Sequence, residues 1–106
     1  MKPVKLFKVL ANESRLQILR WLRDPARHFA DYLTEHHKSH ASPHTVGICV
    51  QFIQRKSGLS QSTVSQFLSM LQDVELIKST RIGQWTYYKR NEEKIAEIAN
   101  LFAKDI

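Results

Sequence analysis

The tripeptide Gly58-Leu59-Ser60 constrains this chain more than any other feature. Glycine takes the left-handed backbone conformation that closes a helix, and serine caps the free amides that open one. The leucine between them plugs the gap between two helices. The pattern predicts one helix ending near residue 57 and a second running from about Gln61 to Asp73. Val64, Phe67, Leu68 and Leu71 fall at i, i+3, i+4 and i+7 of the second helix, an apolar stripe at helical period. Its opposite face is Gln61, Ser62, Ser65, Gln66, Ser69 and Gln72. Solvated helix faces normally carry Lys and Glu. This face carries amides and hydroxyls, which both donate and accept hydrogen bonds.

The flanks extend the pattern. Residues 46–57 read as the helix before the turn, with Cys49, Phe52 and Ile53 on its apolar face. Residues 76–81 and 85–89 are β-branched and aromatic, two short strands with Ile82-Gly83-Gln84 as the hairpin tip. Asn91 caps a last helix, with Glu92 and Glu93 in its first turn and Lys104 in its last, each sign complementing the helix dipole. Its stripe is Ile95, Ile98, Ala99, Phe102 and Ile106. At the other end, Val4, Phe7 and Leu10 mark an amphipathic helix over 3–10. Asn12 caps a second, whose stripe of Ile18, Leu19 and Leu22 ends near Arg23. Asp24-Pro25 opens a third over about 25–38, carrying Phe29, Tyr32 and Leu33, and residues 39–45 form a loop. The expected fold is mainly α with a small β-hairpin, a winged helix-turn-helix in the order α-α-α-α-α-β-β-α. Residues 1–106 make one domain, with one extra helix in an insertion at about 24–45.

A length of 106 residues suits one domain. Sixteen Lys and Arg against ten Asp and Glu give a net charge of +6, which suits a polyanionic partner. The cations crowd the same stretch as the polar helix: Arg55, Lys56, Lys78, Arg81, Lys89 and Arg90, against Asp73 and Glu75. Apolar runs of only a few residues exclude a membrane span. One cysteine excludes an internal disulfide framework and points to the reducing cytoplasm. Three glycines form no phosphate loop, and no nucleophile-base set has a supporting motif, so an enzyme is not expected.

A helix, a tight glycine turn and a polar helix form the arrangement that lays its second helix in the DNA major groove. Gln61, Ser62, Ser65 and Gln66 are the candidates for base edges, since Gln pairs bidentately with adenine. Thr63 and Ser69 suit phosphate contact or packing. Lys56, Lys78, Arg81 and Lys89 suit phosphates, which supply most of the affinity and its salt dependence. Arg81 and Gln84, near the hairpin tip, are placed to reach backbone or minor groove. The competing reading is a winged-helix protein-interaction module that does not read DNA. An acidic wing would favour that reading, and this wing is basic.

Three segments carry a family resemblance. Residues 10–19, LANESRLQIL, are similar to the opening "LADPTRLRIL" of ArsR/SmtB-type winged-helix repressors. Residues 58–65, GLSQSTVS, resemble that family's entry to the recognition helix, and residues 83–88, GQWTYY, resemble its wing, "GRWVYY". The resemblance covers the chain except about residues 24–45. It implies a homodimer that pairs its first and last helices, binds a palindromic operator in double-stranded DNA and represses transcription. The dimer candidates are then Val4, Phe7, Leu10, Ile95, Ile98 and Phe102; the other use of these stripes is to close the monomer core. Three positions depart from the family: Gln66 and Gln84 stand where Arg is common, and Phe67 where His is common.

Many members of that family release DNA when a metal binds. One family site uses two cysteines in "LCVCDL"; here residues 48–53 read ICVQFI, and a lone thiolate cannot build a soft trigonal site. A second family site uses His and Asp on the last helix, where residues 91–106 hold no His and no Cys. All five histidines fall between 28 and 44. His28, Asp31 and Glu35 share one helical face, and His36 and His40 another. Such nitrogen and oxygen sets suit Zn²⁺, Ni²⁺ or Co²⁺. The other reading is a solvated helix end, with His36 edging the core. Cys49 divides in the same way. A redox sensor needs an exposed thiolate, whereas the neighbours Phe52 and Ile53 suit a buried small hydrophobe. DNA binding itself is expected to need no cofactor.

Overall fold

The computed structural model describes residues 2–30 and 46–106, in which six helices and three strands are formed. In chain order they are α1 (Pro3–Leu10), α2 (Glu13–Arg23), α3 (Pro25–His28), β1 (Ile48–Cys49), α4 (Val50–Ser57), α5 (Gln61–Asp73), β2 (Ile77–Ile82), β3 (Trp85–Arg90) and α6 (Glu92–Lys104).

The polar caps act where the sequence places them. Asn12 accepts from the Arg15 amide at 2.9 Å, Ser60 from the Thr63 amide at 3.2 Å and Asn91 from the Lys94 amide at 3.2 Å. Each satisfies an amide that has no partner within its own helix. Gly58 closes α4 at φ 71°. Two side-chain contacts fasten the turn: the Gln54 amide donates to the Leu59 carbonyl at 2.8 Å, and the Leu59 amide donates to Ser57 Oγ at 3.1 Å.

The recognition-helix candidate α5 ends without glycine. Glu75 takes φ 62°, the Glu75 amide donates to the Gln72 carbonyl, and the Leu76 amide donates to the Leu71 carbonyl. This is a Schellman cap with a glutamate in the left-handed position. The Glu75 carboxylate lies 3.0 Å from the Lys94 ammonium, which also lies 3.4 Å from Glu97. That contact ties the end of α5 to α6.

The structure departs from the sequence pattern in two segments. Residues 46–57 are not one helix. Ile48 and Cys49 pair antiparallel with Tyr88 and Tyr87, giving a three-stranded sheet in the order β1-β3-β2, and the helix starts only at Val50. Gly47 explains the difference. At φ 109° it lies so close to β3 that an added Cβ would sit 2.3 Å from the Tyr88 carbonyl oxygen. The backbone is pressed against the sheet before the helix can begin. The expected helix over about 25–38 is also interrupted, since α3 ends at His28. Phe29 leaves the helix to bury its ring edge-on against Trp21, with centroids 6.4 Å apart. Residues 31–38 of that expectation, and the loop over 39–45, lie outside the described residues.

The core joins all layers. Leu6 and Val9 of α1, Ile18 and Leu22 of α2, Ile53 of α4, Val64, Leu68 and Leu71 of α5, and Tyr87 of β3 are buried. Helix α6 contributes only half-buried residues, Ile95 and Ile98, to this cluster. Among the described residues no helix is long and apolar enough to cross a membrane.

Candidate nucleic-acid interface

The apolar stripe of α5 is the anchor of the site. Because Val64, Leu68 and Leu71 are buried, the helical period turns Gln61, Ser62, Ser65, Gln66 and Ser69 outward, and all five are exposed. Their hydroxyls and amides lie along one uncharged face. Not all of them are equally available. Ser60 Oγ lies 3.3 Å from Ser62 Oγ and donates to Thr63 Oγ1 at 2.8 Å. Thr63 is half-buried, and its hydroxyl belongs to the cap. The structure thus leaves Gln61, Ser65, Gln66 and Ser69 as the outward groups away from the serine cap.

The wing is aligned by a side-chain bridge. Gln72 Nε2 of α5 donates to Ser79 Oγ of β2 at 3.0 Å. Side chains alternate across a strand, so Ser79 and Arg81 share the face toward α5, and Lys78 points to the other. The hairpin closes at Gly83, φ 61°, with Gln84 exposed beside it. Arg81 Nε donates to the Gly83 carbonyl at 3.2 Å, which holds the guanidinium at the tip on the recognition-helix side.

The other predicted cations are not gathered there. Lys78 stands directly opposite Lys89 across the two strands, on the face away from α5. With Leu22, Arg23 and Pro25 they line an open cavity of about 520 Å³ at the base of the wing. Arg90 lines the same cavity and forms a two-pronged ion pair with Glu92 at 2.9 and 3.0 Å. Lys56 of α4 rests its ammonium over the rings of Trp21 (5.3 Å) and Phe29 (5.8 Å), and Arg55 lies 4.7 Å from the Phe52 ring centroid. Cation–π contacts of this kind depend on tertiary neighbours, so spacing alone does not reveal them.

The sensor candidates are placed as follows. Cys49 is 1 % exposed, between β3 and the core, with none of the accessibility a redox sensor requires. Burial raises the Tyr87 and Tyr88 hydroxyl pKa values above the usual tyrosine range, with Cys49 adding to the effect. His28 ends α3 and is half-buried. Asp31, Glu35, His36 and His40 lie outside the described residues.

An uncharged polar helix presented by a glycine turn, with a basic hairpin tip aligned beside it, defines a winged helix-turn-helix DNA-binding module. Comparison with known proteins gives the lineage. No family model matches the chain. It is 46 % identical, over 106 residues and 100 % of both chains, to the uncharacterized HTH-type transcriptional regulator YbzH of Bacillus subtilis. A 46-residue stretch is 41 % identical to the putative arsenical resistance operon repressor ArsR2 of Halobacterium salinarum, covering 43 % of this chain and 39 % of that one. Among solved structures, NolR from Sinorhizobium fredii superposes with a TM-score of 0.61 at 25 % identity, covering 96 % of this chain and 81 % of that one. Reduced HlyU from Vibrio cholerae superposes with a TM-score of 0.58 at 27 % identity, covering 95 % and 85 %. The chain belongs to the ArsR/SmtB family of winged-helix transcriptional regulators. It is a DNA-binding transcriptional regulator and not an enzyme.

Proposed function

We propose that the chain acts in the cytoplasm as a homodimer that places two α5 helices in successive major grooves of a palindromic operator and represses the adjacent gene. The observation that carries this reading is an apolar face shared by the two ends of the chain. The rings of Phe7 in α1 and Phe102 in α6 meet at 5.6 Å, tilted by 48°. Phe7 is 38 % exposed and Phe102 49 %; Val4, one helical turn before Phe7, is 66 % exposed, and Ile106, four residues after Phe102, 65 %. Large apolar side chains grouped in this way favour a protein partner over water. The other three dimer candidates, Leu10, Ile95 and Ile98, pack against the protomer's own core, so the proposed contact centres on Val4, Phe7, Phe102 and Ile106. A second copy brings the same face, as a two-fold contact requires, and doubles the +6 charge available to DNA.

The uncharged face of α5 supports base reading by Gln61, Ser65 and Gln66, with Ser62 and Ser69 beside them. Arg81 and Gln84 are the wing contacts in this reading, with Lys78, Lys89 and Lys56 acting on DNA at longer range. DNA binding needs no cofactor here, since every proposed contact is a side chain of the module. Selection from a random double-stranded library with the purified full chain tests the proposal. The expected result is an enriched palindrome. No enriched sequence at moderate salt would contradict it and favour a protein-interaction module.

A further inference from the structure

Arg15 joins the end of α1 to the recognition helix. It stands in the first turn of α2, its own amide held by Asn12 at 2.9 Å. Its Nε donates to the Val9 carbonyl at 2.6 Å, and an outer guanidinium nitrogen donates to the Lys8 carbonyl at 3.3 Å. Both carbonyls belong to the last turn of α1, where helix carbonyls lack partners within the helix. The same guanidinium lies over the Phe67 ring of α5, 5.1 Å from its centroid. Phe67 directly follows Gln66, a base-reading candidate, and is half-buried.

A guanidinium can make both contacts at once because it is planar. Its edge carries the donors and its face stacks on a ring, whereas a lysine ammonium is a point charge without a stacking face. Neither partner is loose. Helix α1 is anchored by buried Leu6 and Val9, and α5 by Val64, Leu68 and Leu71. At its far end α5 is tied to the wing through Gln72 and Ser79. Arg15 supplies a matching tie on the α1 side, and α1 also carries exposed Val4 and Phe7.

We propose that Arg15 is a positioning residue that fixes α5 relative to α1, and thereby sets the distance between the two recognition helices of a dimer. This rests on the dimer reading above. In a two-fold assembly built on α1 and α6, a small rotation of α5 against α1 is doubled between the two DNA-reading faces. The spacing of operator half-sites then depends on the Arg15 contact, whereas the bases read within each half-site depend on α5 alone.

The test uses the full chain and a library in which the two halves of its selected palindrome are separated by spacers of different length. Wild type is expected to prefer one spacing. Arg15→Met is expected to remain dimeric by light scattering and to keep the same half-site bases. Its preference for the best spacing over its neighbours should fall about fivefold, the scale of one exposed cation–π contact. Arg15→Lys, which can still reach a carbonyl, should lose part of that preference. Should Arg15→Met fail to fold, Phe67→Leu removes the ring and leaves the carbonyl bonds, with the same loss of spacing preference expected. An unchanged spacing profile in a folded, dimeric variant would overturn the proposal and leave Arg15 as a cap of α1. A wild-type protein that is monomeric on its DNA would overturn the dimer reading itself, and the positioning role with it.

Discussion

At the scale of single residues, helical period decides what can meet DNA. The stripe of Val64, Leu68 and Leu71 was legible from spacing, and so was the outward direction of Gln61, Ser65 and Gln66. Contacts made through space were not. Lys56 lies over Trp21 and Phe29, and Thr63 is absorbed into the Ser60 cap. Ser79 likewise owes its position to Gln72, seven residues away. Two substitutions separate the roles. Gln66→Ala should relax specificity at one base pair, at a cost of about 1–3 kcal/mol. A selection assay that returns the wild-type base preference would remove Gln66 from the reading set. Arg81→Ala should weaken binding to all sequences alike and lower the slope of log affinity against log salt by about one. A changed sequence preference in that variant would show instead that the wing reads bases.

At the scale of elements, segments with a cap or a repeating pattern are readable, down to the eight residues of α1 and the six of β2 and β3, and the two-residue β1 is not. Helices α2, α5 and α6 carry caps and stripes over 11–13 residues and were expected at nearly their observed bounds. Strand β1 has two residues, too few for an alternating pattern to show, so the sequence pattern over 46–57 reads as helix throughout. The sign of its presence is Gly47. Gly47→Ala would force a Cβ into the Tyr88 carbonyl at a positive φ. It should therefore destabilise the fold by about 2 kcal/mol or more, measured by urea unfolding. The α5–α6 contact adds a pH dependence. The hydrogen bond to Glu75 raises the Lys94 pKa, assisted by Glu97. A lysine with its folded pKa above the unfolded value stabilises the fold at neutral pH. That contribution is lost as the pH rises past about 10.4 and through the folded value. Tyr87 and Tyr88, also raised, act in the same direction. Between pH 9 and 11 the urea midpoint of wild type should therefore fall further than that of Lys94→Met. Equal falls would assign the whole effect to the tyrosines.

At the scale of the whole molecule, the two ends of the chain meet. The stripes on residues 4–10 and 95–106 admitted two uses from sequence, closing the core or joining a second copy. The structure divides the labour within each stripe. Leu6, Val9, Ile95 and Ile98 turn inward, and Val4, Phe7, Phe102 and Ile106 remain outside. Period alone cannot make that division, because both sets lie on the apolar side of their helices. Phe102→Asp places a charge on the shared face without disturbing a buried residue. It should give a folded monomer by light scattering and circular dichroism. Its operator affinity should fall by about a hundredfold or more, since the second recognition helix is no longer held near the first. Dimeric binding across two half-sites is read most directly by a hydroxyl-radical footprint of the full chain on its selected operator. Two protected segments related by a dyad are expected, their centres one helical turn or a multiple of it apart, about 10 base pairs per turn. A single protected segment without a dyad would contradict dimeric binding.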